Sequence, residues 1–217
     1  MDPTNKYYIM MWNEIDSFTF NDIREFGLHL LNNVPDYFFS VPASSSGKYH
    51  PVGDLGEGGL VRHSICVKRM LEHLLELDGY YDFTPRQVEL LKLAALFHDS
   101  FKSGTQEQYE KNPHTKFLHP ILATNFIIYL SSLIGFDYDE TMFITSAVSS
   151  HMGQWNVNKH GDGTLPLPKE PHQKVLHLAD YLASRKDINM VLYEEETPDY
   201  VTGEKGDPDP AGVPIDA

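Results

Sequence analysis

The chain has 217 residues, 41% hydrophobic and 22% charged, with a formal net charge of −14. That balance describes a folded chain with one sizeable core and excludes collagen-like, coiled-coil and wholly disordered classes. The negative charge argues against tight, sequence-blind binding of long nucleic acid, which relies on Lys and Arg at phosphates, but it leaves room for a small phosphorylated substrate. No apolar run reaches the ~18 residues of a membrane span. The N-terminal stretch carries acids where a signal peptide needs a basic start, so a cytoplasmic location is expected. Cys66 stands alone, which excludes an intramolecular disulfide and a Cys-based zinc knuckle. Residues 194–217 hold eight acids against Lys205, half of the net charge of −14.

Residues 1–19 are mixed and aromatic and read as a short packed arm. Asn21 caps a helix through about residue 32, with Ile23, Phe26, Leu30 and Leu31 on its apolar side and Pro35 beyond its end. Residues 35–57 read as a long loop, a length that in a compact domain marks function or mobility. From Gly59, the positions Val61, Ile65, Met70, Leu71, Leu74 and Leu75 recur at helical spacing up to Gly79. Thr84-Pro85-Arg86-Gln87 is a capping box with Pro at the first helical position, opening a helix to about Asp99. Residues 100–116 read as a polar loop. Further helices are expected over about 120–133, stopped by Gly135, and from Asp137 or Asp139 to about His151. Residues 153–170 read as loop, and Pro171 opens a last helix to about Arg185. Residues 189–193 suit a short strand or packed segment, and the Pro-rich acidic tail an extended chain. The sum is an all-α domain of five or six helices. Three parts are expected: residues 1–54 packed on the domain, a metal-binding domain over 55–187, and a tail over 188–217.

Five places set metal-ligand side chains at helix ends or inner faces: His63 in GGLVRHS, His98-Asp99 in ALFHDSFKSG, His119 in FLHP, His151 in SSHMGQW and Asp180 in HLADYLASR. Imidazole with carboxylate suits Mn, Fe, Co, Ni and Zn, whereas carboxylate alone favours Mg or Ca. Asp180 on an apolar helix is expensive to bury unless it has a partner.

The ordered set H…HD…H…H…D on a helical chain resembles the HD-domain metal-dependent phosphohydrolase superfamily. GGLVRH, ALFHDSFKSG and ADYLASR each resemble a segment of that family, and together they span about residues 55–187. The resemblance implies a compact helical bundle. It implies that His63, His98, Asp99 and Asp180 hold one metal, and that His119 and His151 either complete a second, with Asp99 bridging, or in a mononuclear site face substrate as general acid or phosphate donor. Two divalent transition metals per chain are expected, Mn, Fe, Co or Ni, with Mg or Zn also open. Lys102 matches the family's Lys after the HD pair, which faces substrate phosphate. Asp99 and Lys102 are the expected catalytic pair. Lys48, Trp155 and Arg185 join Lys102 as candidate substrate contacts: Lys48 from the SSSGKYHP loop, Trp155 as a stacking surface, Arg185 as a cation at a helix end. His50 in the same loop is a weaker candidate for cradling a phosphate.

The expected activity is hydrolysis of a phosphoester in a nucleotide or short nucleic-acid-like substrate by metal-activated hydroxide, as a phosphodiesterase or nucleotidase. The GYP signature of the cyclic-dinucleotide branch is absent. The same ligands also suit a diiron oxygenase, and a non-catalytic binding module is a third reading. Oligomeric state is not legible.

Overall fold

The computed structural model describes residues 4–44, 47–77, 82–161, 163–188, 190 and 192. Eight α-helices occur in this order: α1 Lys6–Asp16, α2 Asn21–Leu31, α3 Gly59–Leu75, α4 Pro85–Phe97, α5 Gln106–Lys111, α6 His119–Ile134, α7 Tyr138–Ser150 and α8 Pro171–Ala183. Among the described residues the only β pairing is an isolated bridge between Val157 and Thr164. The expected all-α bundle is what the chain forms. Among the described residues no helix is long and apolar enough to cross a membrane.

Local chemistry explains most of the boundaries. Thr84 and Gln87 close the capping box of α4 with Pro85 at its start. Asp137 accepts from Glu140 N to cap α7. Gly135 ends α6 in the left-handed conformation, φ 70. Two helices depart from the sequence reading. Residues 6–16 are helix rather than an arm, capped by Asn5, whose Oδ1 accepts from Tyr7 N at 2.9 Å. The segment expected as polar loop contains α5, opened by a Thr105–Gln108 capping box. The helix begun at Gly59 ends at Leu75, short of Gly79. Residues 35–57 are loop, with 3-10 turns at Asp36–Phe39 and Val52–Asp54. Met190 and Leu192 pack against the core, while the expected extended tail lies outside the described residues.

Helix α3 is the axle of the bundle, packed on α4 and α8; α7 lies against α4, α6 and α8, and α1 and α2 close the far side. Gly27 lets α2 approach closely, since a Cβ there would stand 2.8 Å from Ile15 and 3.0 Å from Leu93. The core of Leu60, Val61, Ile65, Leu91, Leu93, Leu96, Ile144, Val148, Val175 and Leu176 fills the space between α3, α4, α7 and α8. Burial of each such side chain contributes about 1.5–3 kcal/mol.

Charged groups tie the far side to the axle. Lys68, 2% exposed, places Nζ 2.8 Å from Glu14 Oε2 and 2.9 Å from Glu72 Oε1. Glu14 also takes Arg69 at 2.7 Å, and Lys92 meets Glu72 at 3.0 Å, so α1, α3 and α4 share one network. Glu89 accepts from Thr19 N at 2.6 Å and Phe20 N at 3.0 Å, which satisfies the start of α2 from another helix. Arg86 joins α4 to Asp22 on α2 and Glu140 on α7.

Removing one member of a buried ion pair strands the other. Glu14→Ala is therefore expected to lower stability by about 3 kcal/mol, the low end of the usual range because Glu72 still faces Lys68. Urea unfolding followed by circular dichroism checks this, and a loss below about 1 kcal/mol would show that Lys68 is satisfied without α1.

Candidate metal centre

The donor side chains all come from helix ends or from the inner face of α3. His63 lies in the second turn of α3. Its place follows from the GEGGL sequence ahead of it. Gly58 has φ 70, and the Tyr7 ring sits where its Cβ would be; a Cβ on Gly59 would strike Asp54 O at 2.0 Å. The chain thus enters α3 pressed against Asp54. His98 caps the C-terminus of α4 and Asp99 follows it, the turn closed by Lys102 N to Asp99 O at 2.9 Å. His119 begins α6, His151 caps the C-terminus of α7 and Asp180 lies in the last turn of α8.

Three of the four imidazoles are anchored in the same way. His98 Nδ1 donates to Ala95 O at 2.8 Å, His119 Nδ1 to Lys116 O at 2.7 Å and His151 Nδ1 to Val148 O at 2.8 Å. A carbonyl only accepts, so the proton must sit on Nδ1, and in the neutral ring Nε2 is left as a bare lone pair. His63 differs: its Nδ1 faces the carboxylate of Asp54 at 3.5 Å.

All four Nε2 atoms point at two carboxylates. His63 Nε2 lies 3.1 Å from Asp180 Oδ1 and 3.9 Å from Asp99 Oδ2; His98 Nε2 lies 3.7 and 3.6 Å from the same two oxygens. On the other side of Asp99, Oδ1 stands 3.0 Å from His119 Nε2 and 3.6 Å from His151 Nε2, which are 3.3 Å from each other. Two donors about 2.1 Å from one ion and near 90–110° apart are about 3.0–3.5 Å from one another. The observed separations fall close to that range on both sides of Asp99.

The arrangement is ill suited to stand without a cation. His98 Nε2 and Asp99 Oδ1 are buried without a hydrogen-bond partner, although other acceptors surround them. Lone pairs brought this close repel unless a positive charge lies between them. The donor set of imidazole and carboxylate fits a divalent metal.

The electrostatics follow. Burial works against a charged His63, but the hydrogen bonds to Asp180 and Asp54 outweigh it and raise its pKa to about 9. Burial would raise Asp99, yet the Lys102 ammonium beside it holds it well below the usual carboxylate range. Asp180 is likewise lowered against the effect of burial, chiefly by His63 and His98.

A cavity of about 490 Å³ opens on this cluster. Lys102 and Arg185 lie on its wall, with Trp155 and Tyr49 beside them. Lys102 Nζ is 2.5 Å from Asp99 Oδ2. Trp155 stacks on Tyr181 with centroids 5.6 Å apart, and the Arg185 guanidinium lies over Tyr181 at 4.4 Å and Tyr49 at 5.4 Å. Lys48 is not on the wall; its ammonium lies over the Tyr49 ring at 5.0 Å. The structure thus brings together the six metal candidates with Lys102, Trp155 and Arg185, and leaves Lys48 behind Tyr49.

Sequence reasoning missed the role of Asp54 altogether. It gave His50 a phosphate to cradle, whereas the ring packs edge-on to His63 at 5.0 Å with Nδ1 3.5 Å from Asp54 Oδ2. The available signal was HPVGD, an i,i+4 His–Asp pair just before GGLVRH. His177 also has a place: its Nδ1 donates to His151 O at 2.7 Å. Its ring occupies the space a Cβ on Gly153 would need, and Gly153 has φ 53, which explains the Gly of SSHMG.

A helical bundle whose helix ends deliver four imidazoles and two carboxylates to one buried cluster defines a metal-binding α-domain. The chain belongs to the HD-domain family: the model of the HD domain matches residues 60–185, more than half of its length. Members of that family are generally metal-dependent hydrolases of the phosphohydrolase superfamily. No curated protein and no solved structure gives a significant match.

Two outcomes are expected from the geometry around His63. Asp54 sits behind this imidazole as carboxylates do behind metal-bound histidines, so Asp54→Asn should weaken metal binding about 10–100-fold. Competition against a chromogenic chelator measures it, and a change under about twofold would remove Asp54 from that role. Second, with its pKa raised to about 9, His63 carries a proton at neutral pH in the metal-free chain and must release it to ligate. Apparent affinity should therefore rise up to about tenfold per pH unit from about 7 towards 9, levelling above, with about one proton released from this residue in calorimetry at pH 7.5.

Proposed function

We propose that the chain is a phosphoesterase with two divalent metals per chain, acting on a nucleotide or a short nucleic-acid-like substrate. The observation that carries this reading is the division of Asp99: Oδ2 faces His63 and His98, which also reach Asp180, while Oδ1 faces His119 and His151. One carboxylate with a different donor set at each oxygen is how a bridging ligand is built. His63, His98, Asp99 and Asp180 would hold the first ion, and Asp99, His119 and His151 the second. Bound there, the metals would supply an acidified water and neutralise charge on phosphoryl oxygens.

The chain's own residues do the remainder. The backbone carbonyls of Ala95, Lys116 and Val148 fix the tautomer and direction of three imidazoles, so the ligand field costs little reorganisation. Lys102, 15% exposed in its side chain, brings a cation to the same edge of Asp99 where a phosphoryl group would dock. Arg185, held between the Tyr49 and Tyr181 rings, adds a second cation farther up the wall. Trp155, 46% exposed and backed by Tyr181, offers a flat apolar face to a base or another ring. A base on Trp155 and a phosphate between the metal cluster and Lys102 suit a cavity of about 490 Å³.

The test is metal analysis of the purified protein with hydrolysis assays on bis-p-nitrophenyl phosphate, p-nitrophenyl phosphate and a nucleotide panel, each with Mn, Fe, Co, Ni and Mg. About two metals per chain are expected, with hydrolysis falling at least ~100-fold in His98→Ala and His119→Ala. Trp155→Ala should raise KM for nucleotides several-fold and leave KM for bis-p-nitrophenyl phosphate nearly unchanged. Metal-loaded protein that hydrolyses none of these substrates would overturn the reading, and two irons with substrate-dependent oxygen uptake would replace it.

A further inference from the structure

Helix α6 departs from the pattern of the other helices. Residues 117–136 contain no Asp, Glu, Lys or Arg, although 22% of the chain is charged. One face packs inward through Ala123, Ile127 and Leu130. The opposite face is apolar as well and lies open: Leu118 is 54% exposed, Tyr129 61% and Leu133 58%, with Ile128 beside them. A helix that is apolar all round belongs in an interior, yet this one borders solvent.

The outer face also has a regular spacing. Leu118, Leu122, Asn125, Tyr129 and Ser132 follow one another at alternating steps of four and three residues. That is the seam of a packed helix pair, with one polar Asn in the middle of it. The metal donors are on other faces, and His119, the one donor α6 carries, is buried.

We propose that this face is the interface of a homodimer, in which α6 packs antiparallel on α6 of a second copy about a two-fold axis beside Asn125. Charge selects the occupant. A second copy also carries −14, so contact through any charged face brings like charges together, while this face brings none. A membrane surface is a poorer match, because interfacial helices carry Lys and Arg along their polar edge and α6 has none.

Charge selects the direction too. Lys116 lies just before α6 and Asp137 and Asp139 just after it. The Lys116 ammonium reaches the Asn112 carbonyl at 3.0 Å and has no carboxylate partner among the described residues. Antiparallel packing sets Lys116 towards the acids of the second copy, whereas parallel packing sets like ends together. On a two-fold axis Asn125 meets its own twin, and two amides can pair donor to acceptor. In this register, Ser132 of the partner subunit comes over Leu118, with Leu133 of the partner subunit next to it, beside a cavity of about 620 Å³ lined by Phe117, Leu118 and Leu122. With about 200 Å² per large side chain, the exposed apolar groups amount to roughly 400 Å² per copy, which Leu122, Asn125 and Ser132 along the same seam extend towards the ~800 Å² of a standard interface.

Sedimentation equilibrium of the full chain tests the proposal. The expected mass is twice the 24.7 kDa of one chain. Tyr129→Glu with Leu133→Glu should weaken association at least ~100-fold, with helical circular dichroism and metal content unchanged. Asn125→Cys should give a disulfide-linked dimer on mild oxidation, since the native Cys66 is buried. A monomer at all concentrations up to about 100 µM overturns the proposal; so does a dimer that survives the double Glu variant. A dimer in which Asn125→Cys fails to cross-link overturns the antiparallel register. Tyr129-dependent binding of monomeric protein to phosphatidylcholine vesicles would replace the second copy with a lipid surface.

Discussion

The Asp99 carboxylate, 2% exposed and set among four imidazoles, is the constraint on which the rest of the site depends. An anion cannot be buried there without compensation. Lys102 supplies part of it, from three residues on in the same turn. The remainder is left open, because three of the imidazoles are turned so that their lone pairs, not their protons, face the carboxylate. A cluster arranged in that way is complete only with cations at its centre, so metal binding and stability are coupled. An ion that binds the folded chain and not the unfolded one stabilises it by mass action, about 2.7 kcal/mol at a hundredfold excess over its dissociation constant.

The fold serves this cluster by ending its helices there. An α-helix cannot bond its own last carbonyls internally. At the ends of α4 and α7, His98 and His151 use those carbonyls, at Ala95 and Val148, to hold their rings. One unsatisfied feature of the backbone thus orients two donors. Helices α1 and α2 supply none of the donors. Tyr7 presses on Gly58, and Lys68 ties Glu14 to α3, so the far layer fixes the axle that carries His63.

The elements most legible in the sequence were those with local signals. Thr84-Pro85-Arg86-Gln87, Pro171 and Gly135 mark helix ends through bonds within a few residues. Helix α1 was not legible because its buried stripe of Tyr7, Met11 and Ile15 contains Glu14, which reads as solvent-facing until Lys68 arrives from α3. Helix α5 is a single capped turn and a half, too short for a period to show. That the six candidate donors would converge was legible only through family resemblance, since His63 and Asp180 meet across 117 residues of chain. Asp54 and Lys48 show the same limit from opposite sides. Nothing local says that the loop folds Asp54 onto His63, or that it sets Lys48 over the Tyr49 ring.

The same charge distribution that speaks against long nucleic acid favours a small phosphorylated ligand. Half of the net charge of −14 belongs to residues 194–217, and the rest of the chain still carries −7, so a polyanion lying along it meets net like charge, felt at physiological salt over about 8 Å. A small anion that enters the cavity leaves that surface behind. It meets Lys102 and Arg185 on the wall, in a pocket where charge is screened less, together with whatever positive charge the donor cluster holds. On the phosphoesterase reading proposed above, selectivity for size needs no steric gate: a phosphate group that can reach Lys102 would gain attraction, while the rest of a long strand would gain only repulsion.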